Sequence, residues 1–138
     1  MVDHAAIEIR TERLDQELAT LARVRSGGRE PYLADHGLQL QVERALQVAI
    51  QACIDIGSHL VAAWGLGPPD DYADVFARLR LSGGLDGDLA DRMIEATKQR
   101  NMLVHVYLRI DHTKIWQKLS EVDDLRAFAG WALDEAAR

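Results

Sequence analysis

The stretch VERALQVAIQACIDIGSHLVAAW, residues 42–64, decides the fold. Val42, Leu46, Ala49, Cys53, Ile56, Leu60 and Trp64 recur every three or four residues through it, the spacing that aligns one face of a helix turning once per 3.6 residues. Asp35 stands ahead of it as an N-cap, and Gly65-Leu66-Gly67-Pro68-Pro69 follows as a stop. This is the longest helix the sequence predicts, and the central one.

Helical periodicity continues on both sides. Upstream, Ile7, Leu14, Leu18 and Leu21 predict an amphipathic helix over about residues 4–24, ended by Ser26-Gly27-Gly28 and followed by a loop through Pro31 and Tyr32. Downstream, Asp70 or Asp71 caps a short helix carrying Tyr72, Val75, Phe76 and Leu79, closed by Ser82-Gly83-Gly84. Asp86 caps a fourth helix through Leu89, Met93, Ala96 and Thr97, and Asp111 a fifth through Ile115, Leu119, Val122, Phe128 and Ala132. Ser120 followed by Asp123 resembles a capping pair, so this last helix is expected to break near residue 120. The fold expected is all-α, an up-and-down bundle of about five helices in a single domain spanning residues 1–138.

Composition agrees and narrows the function classes. With 48% hydrophobic and 28% charged residues in 138, the chain can bury a core without disulfides or structural metal. Sixteen basic against 22 acidic residues give a net charge of −6, so any binding of nucleic acid must come from a local patch. One cysteine, Cys53, allows no intramolecular disulfide and no Cys/His metal spacing. It falls on the apolar face of the central helix and is read as a buried, inert thiol. The first residues, MVDHAAIEIRTERLD, interleave acids and bases where a secretory signal needs an apolar stretch. A cytoplasmic protein with no membrane association, no metal and no cofactor is therefore expected.

Chemistry concentrates in Gln99-Arg100-Asn101-Met102-Leu103-Val104-His105-Val106-Tyr107. No other segment is as dense in functional side chains. On an unbroken helix Lys98, Asn101, His105, Arg109 and His112 would share a stripe, and Arg100 would sit about 140° from His105. The two could serve one site only if the helix bends or if two copies meet across a two-fold axis. Between residues 91 and 114, five basic residues (Arg92, Lys98, Arg100, Arg109, Lys114) oppose three acidic ones (Asp91, Glu95, Asp111), a local 5 − 3 = +2. Histidine can move the proton of a ribose 2′-hydroxyl or of a leaving oxygen, and a guanidinium can stabilise charge growing on phosphate. The plain structural alternative is a solvated arginine, a helix-end histidine and a tyrosine packed by its ring.

Other groups carry less. Asp55 and His59, four residues apart on the central helix, read as a structural pair, since two ligands are too few for a metal. Gly83-Gly84-x2-Gly87 lacks the lysine of a phosphate loop and reads as a turn. Trp64, Trp116 and Trp131 are placed for packing.

The motif Arg100-x4-His105-x-Tyr107, with Asn101 after the arginine in RNMLVHVY, resembles the signature of HEPN-domain toxins of the HepT type, partners of a minimal nucleotidyltransferase antitoxin. Glu43-Arg44 and Asp55, the Pro69 to Tyr72 stretch, Phe76, Leu79 and the Asp111 helix start extend the likeness over roughly residues 32–130. The resemblance implies a metal-independent ribonuclease that is a homodimer with its two motifs facing a shared cleft. It implies Arg100 and His105 as the catalytic pair, Asn101 in support, and Tyr107 as the tyrosine to which the antitoxin transfers AMP. Lys98, Arg109 and His112 are then candidates for RNA contact. Two alternatives stand beside it: a non-catalytic helical companion that binds nucleotide or a nucleotidyltransferase, and a purely structural dimer module.

Overall fold

The structure is a computed structural model and describes residues 2–138; the side chain of Tyr107 lies outside the described atoms. Every regular element among the described residues is helical. The first helix, α1 (His4–Ser26), is capped by Asp3, whose carboxylate accepts from the Ala6 N–H at 3.3 Å. Ile7, Leu14, Leu21 and Val24 point inward along it. Thr11 lies among them, and its buried hydroxyl donates to the Ile7 carbonyl at 2.9 Å, so no polar atom there is left unmet.

The loop expected around Pro31 is instead a short helix, α2 (Arg29–Ala34). Proline falls in its first turn, where the missing N–H would have had no partner anyway. Gly28 enters it at φ +98°, a left-handed conformation that glycine adopts without strain. Tyr32, placed in a loop by the sequence reading, is wholly buried by this turn.

Asp35 caps α3 (His36–Ala63) as expected, accepting from the Leu38 N–H at 3.2 Å. From Ala49 to Val61 the helix is buried on most of its circumference, because α1, α4, α5 and α7 all pack on it. Among the described residues it alone is long and apolar enough to cross a membrane, yet 61% of the stretch is enclosed by the other helices, as a core helix is. At Gly57 a Cβ would lie 2.7 Å from Val75 Cγ1. Glycine is what lets α3 approach α4 (Tyr72–Ser82) this closely.

Asp71, rather than Asp70, caps α4, accepting from the Asp74 N–H at 2.7 Å. A turn containing Gly84 at φ +82° reverses the chain into α5 (Gly87–His105), capped by Asp86. The two helices form an antiparallel hairpin. A single 3-10 turn, Tyr107–Arg109, leads to α6 (His112–Lys118), whose first N–H groups at Thr113 and Lys114 are accepted by Asp111. The break near residue 120 is present as the 3-10 turn Leu119–Glu121, before α7 (Asp123–Ala136). Ser120 does not cap α7, however; its hydroxyl donates back to the Gln117 carbonyl at 2.9 Å. The bundle therefore has seven α-helices among the described residues, the expected five plus α2 and the piece split off as α6.

Two apolar clusters fill it. The larger is built around Ile50, Ile54, Leu60, Phe76, Met93 and Phe128. The smaller gathers Leu21, Tyr32, Val42, Leu46, Leu103, Ile115 and Leu119. Leu103 ties the last turns of α5 into this second cluster, and burying a leucine contributes roughly 1.5–3 kcal/mol. That contact fixes the helix end on which the motif sits.

Candidate active site

Arg100, Asn101 and His105 all lie on the last turns of α5. The helix is continuous through His105, so no break in it relieves the angular separation from Arg100. Arg100 faces the α4 side. Its guanidinium carbon lies 5.2 Å from the centroid of the Tyr72 ring, within cation–π range. Nη1 donates to Asn101 Oδ1 at 3.2 Å, while Nε is enclosed and meets no acceptor among the described residues. His105 is exposed and enters no hydrogen bond among the described residues. One group is thus oriented and half-buried, the other exposed.

The long stripe drawn on an unbroken helix does not form. Because α5 ends at His105 and the chain turns through Tyr107–Arg109, Arg109 and His112 leave the line of Lys98, Asn101 and His105. Arg109 is exposed on the turn. His112 is half-buried and engaged: its Nδ1 lies 3.2 Å from the Tyr32 hydroxyl, and the two rings meet edge-on at 6.0 Å. Burial, with Glu43 nearby, pushes the Tyr32 phenol up to about 12, so it stays protonated at ordinary pH. Tyr107 carries its expected role on a side chain outside the described atoms.

Ion pairing reshapes the local charge. Arg92 is held by Asp124 at 3.0 Å, and Lys98 by Glu95 at 3.0 Å. Asp91 is engaged by Arg80 and Asp111 by its cap, which leaves Arg100, Arg109 and Lys114 as the cations of this segment without a carboxylate partner among the described residues. The Lys98–Glu95 pair is exposed and worth at most about 1 kcal/mol, so a phosphate could displace the glutamate.

A concavity lies beside α5, away from Arg100. It is an open groove of about 550 Å³ between α5, α6 and α3, floored by Leu46, Ile50, Met102, Ile115 and Leu125, with lysines (Lys98, Lys114, Lys118) and carboxylates (Asp91, Glu95, Glu121, Asp124) both on its rim. Neither Arg100 nor His105 lines it. No cluster of three or more His, Cys, Asp or Glu side chains that could hold a metal occurs among the described residues.

Several smaller expectations resolve here. Asp55 and His59 do not pair: Asp55 accepts from Gln51 at 2.9 Å, and His59 Nε2 accepts from the Asp3 backbone N–H at 2.9 Å. His59 thereby pins the start of α1. Cys53 is fully enclosed, and burial pushes its thiol pKa upward, consistent with an inert group. Trp64 and Trp131 stack edge-on, and Trp116 packs against Tyr32. Tyr72, grouped in the sequence with Val75, Phe76 and Leu79, is not enclosed with them: it is 39% exposed, and Arg100 lies over its ring. The available signal was its place directly after the capping aspartate, one turn before the core residues Val75 and Phe76 begin.

The family model described as ribonuclease HepT-like matches residues 14–130. A tRNA nuclease HepT from Aphanizomenon flos-aquae is 29% identical over 119 residues, covering 86% of this chain and 81% of the relative. Among solved structures, a tri-AMPylated HEPN toxin of Shewanella oneidensis in complex with MNT antitoxin superposes with a TM-score of 0.84 at 24% identity, covering 94% of this chain and 96% of that one. A toxin–antitoxin complex with AMP-PNP gives a TM-score of 0.86 at 23% identity over 96% and 99% of the two chains. At such identities these two structures establish a shared fold. The overlap takes in α1, which lay outside the stretch where the sequence motifs carried the likeness.

Proposed function

The chain belongs to the ribonuclease HepT-like family, and we propose that it is the toxin half of a toxin–antitoxin pair, a metal-independent endoribonuclease acting in the cytoplasm. The observation that carries this reading is the state of Arg100: a guanidinium oriented by Tyr72 and Asn101, with donors to spare, on the same helix end as an exposed His105 that makes no hydrogen bond among the described residues. That is a phosphate clamp beside a proton carrier.

In the reaction the ribose 2′-oxygen attacks the adjacent phosphorus. A P–O2′ bond forms, the P–O5′ bond breaks, and the products are a 2′,3′-cyclic phosphate and a 5′-hydroxyl. The 2′-hydroxyl loses a proton and the departing O5′ gains one. Neutral His105 suits the first transfer and its protonated form the second. Arg100 neutralises charge on the equatorial phosphoryl oxygens as the five-coordinate state forms. Lys98, Arg109 and His112 are candidates to hold the flanking backbone. Because Arg100 and His105 diverge on one helix, a homodimer whose two motifs face one cleft would bring an arginine of one protomer toward a histidine of the other. The partner would be a minimal nucleotidyltransferase, as in the complexes that share the fold, and the control point Tyr107.

Cleavage of mixed RNA in EDTA tests the reading. The wild type should cut, and Arg100→Ala and His105→Ala should each lose on the order of 10²-fold or more while remaining folded. Cleavage lost on chelation, or retained in both variants, would reject the mechanism. If neither the wild type nor any variant cuts, while nucleotide or a nucleotidyltransferase still binds, the non-catalytic companion takes its place.

A further inference from the structure

The hydrogen bonds at the start of α4 hold a side chain that nothing in the reaction as written requires. Asp71 caps the helix, and Asp74 accepts from the Asp70 N–H at 2.9 Å and from Arg78 Nε at 2.8 Å. Arg78 reaches on through Nη1 to the Leu66 carbonyl at 2.9 Å, closing the loop that connects α3 to α4. Gly67 lies under that guanidinium at φ +88°, and a Cβ there would come within 2.9 Å of Arg78 Nη1. The Asp70 N–H and the Arg78 guanidinium hold the Asp74 carboxyl below the usual carboxylate range. The residue so fixed, first in the helix, is Tyr72.

Tyr72 has no core duty that explains this care. Phe76, one turn later, makes the core contact, its ring 5.0 Å from that of Phe128. The Tyr72 ring stands at the bundle edge, partly open to solvent, and its neighbour is Arg100. Asn101 holds one end of the guanidinium, the Tyr72 ring lies against it, and Nε is shielded without an acceptor. An arginine left alone at a helix end samples many rotamers. One stacked on a fixed ring loses little further freedom when a phosphate arrives.

We infer that Tyr72 is the positioning residue for Arg100, a rigid aromatic platform that holds the guanidinium in its phosphate-receiving orientation. This rests on the ribonuclease reading for its kinetic consequence, though not for the contact itself. The ring is the working part, so phenylalanine should substitute and an aliphatic residue should not. The phosphate is still bound by other cations, so the loss should fall on turnover rather than on substrate affinity.

The experiment combines kinetics with NMR on the full chain, using RNA cleavage in EDTA. Tyr72→Leu should lower kcat about 10-fold with KM changed less than about two-fold, and Tyr72→Phe should restore most of it. On an Arg100→Ala background, Tyr72→Leu should cost nothing more, because the residue it positions is gone. In spectra of side-chain-labelled arginine, the Arg100 resonances should show a ring-current shift that persists in Tyr72→Phe and vanishes in Tyr72→Leu. If Arg100→Ala is inactive while Tyr72→Leu turns over like wild type, or if Tyr72→Phe is as poor as Tyr72→Leu, the positioning role is wrong and the ribonuclease reading stands. If Arg100→Ala cuts RNA normally, the catalytic reading fails instead. The ring-current shift then decides the platform alone: its absence in the wild type overturns it.

Discussion

Arg100 and His105 are five residues apart and differ in every respect that matters for reactivity. One is stacked, hydrogen-bonded and half-enclosed; the other is exposed at the last helical residue. Two positions beyond His105 stands Tyr107, at the start of a 3-10 turn. If this is the control point, a nucleotidyltransferase partner given ATP and Mg²⁺ would join the phenol oxygen to the α-phosphorus and release pyrophosphate. Each AMP adds about one negative charge beside groups meant to receive phosphate, by the logic that governs phosphorylation. Intact mass should rise by AMP-sized steps on the wild type and not on Tyr107→Phe, and the modified protein should stop cutting RNA. Steps on the Phe variant would move the site elsewhere. Residue identity made Arg100, Asn101, His105 and Tyr107 legible as a cluster, because few plain surfaces carry that set so densely. What sequence could not supply was partnership across the fold. Tyr72 and Arg100 are joined only by the α4–α5 hairpin, and the Asp55–His59 spacing suggested a pair that the Asp3 N–H and Gln51 preclude by offering each a different partner.

Among the elements, α3 was readable end to end because its apolar period is uninterrupted and both its cap and its stop are strong local signals. The short pieces were not. A six-residue helix such as α2 has too little periodicity to register, and it exists because Tyr32 gains burial against Trp116 and a hydrogen bond to His112. Tertiary contact outweighed the local turn signal of its proline and glycines. The same dependence on neighbours makes Gly57 a sensitive point. A methyl group there meets Val75 Cγ1 at 2.7 Å, Leu79 Cδ1 at 3.4 Å and Phe128 Cζ at 3.5 Å, all in the packed interior. Gly57→Ala raises helix propensity, yet overpacking should outweigh that gain and destabilise the fold by roughly 1–3 kcal/mol. A urea titration measures it. An unchanged or raised midpoint would mean that α4 can retreat from α3 without cost.

At the scale of the whole molecule the question is whether one chain holds a complete site. Arg100 looks toward α4, Lys98 and Met102 look into the groove beside α6, and α5 is unbroken helix to His105. A protein of net charge −6 also has little general attraction for RNA, whereas two copies set motif to motif would gather Arg100 and Arg109 of both chains about one cleft. Mixed dimers separate a composite site from a private one. Pair an Arg100→Ala protomer with a His105→Ala protomer by co-expression under two tags. If arginine and histidine come from different chains, one of the two sites in each mixed dimer regains both groups and the other loses both. Random pairing makes half the dimers mixed, so the preparation should recover roughly one quarter of wild-type activity, and the purified mixed dimer about one half. Both parents alone should stay near zero. A mixed dimer as inactive as its parents would show that each chain must supply its own arginine and histidine, which on one continuous helix point about 140° apart.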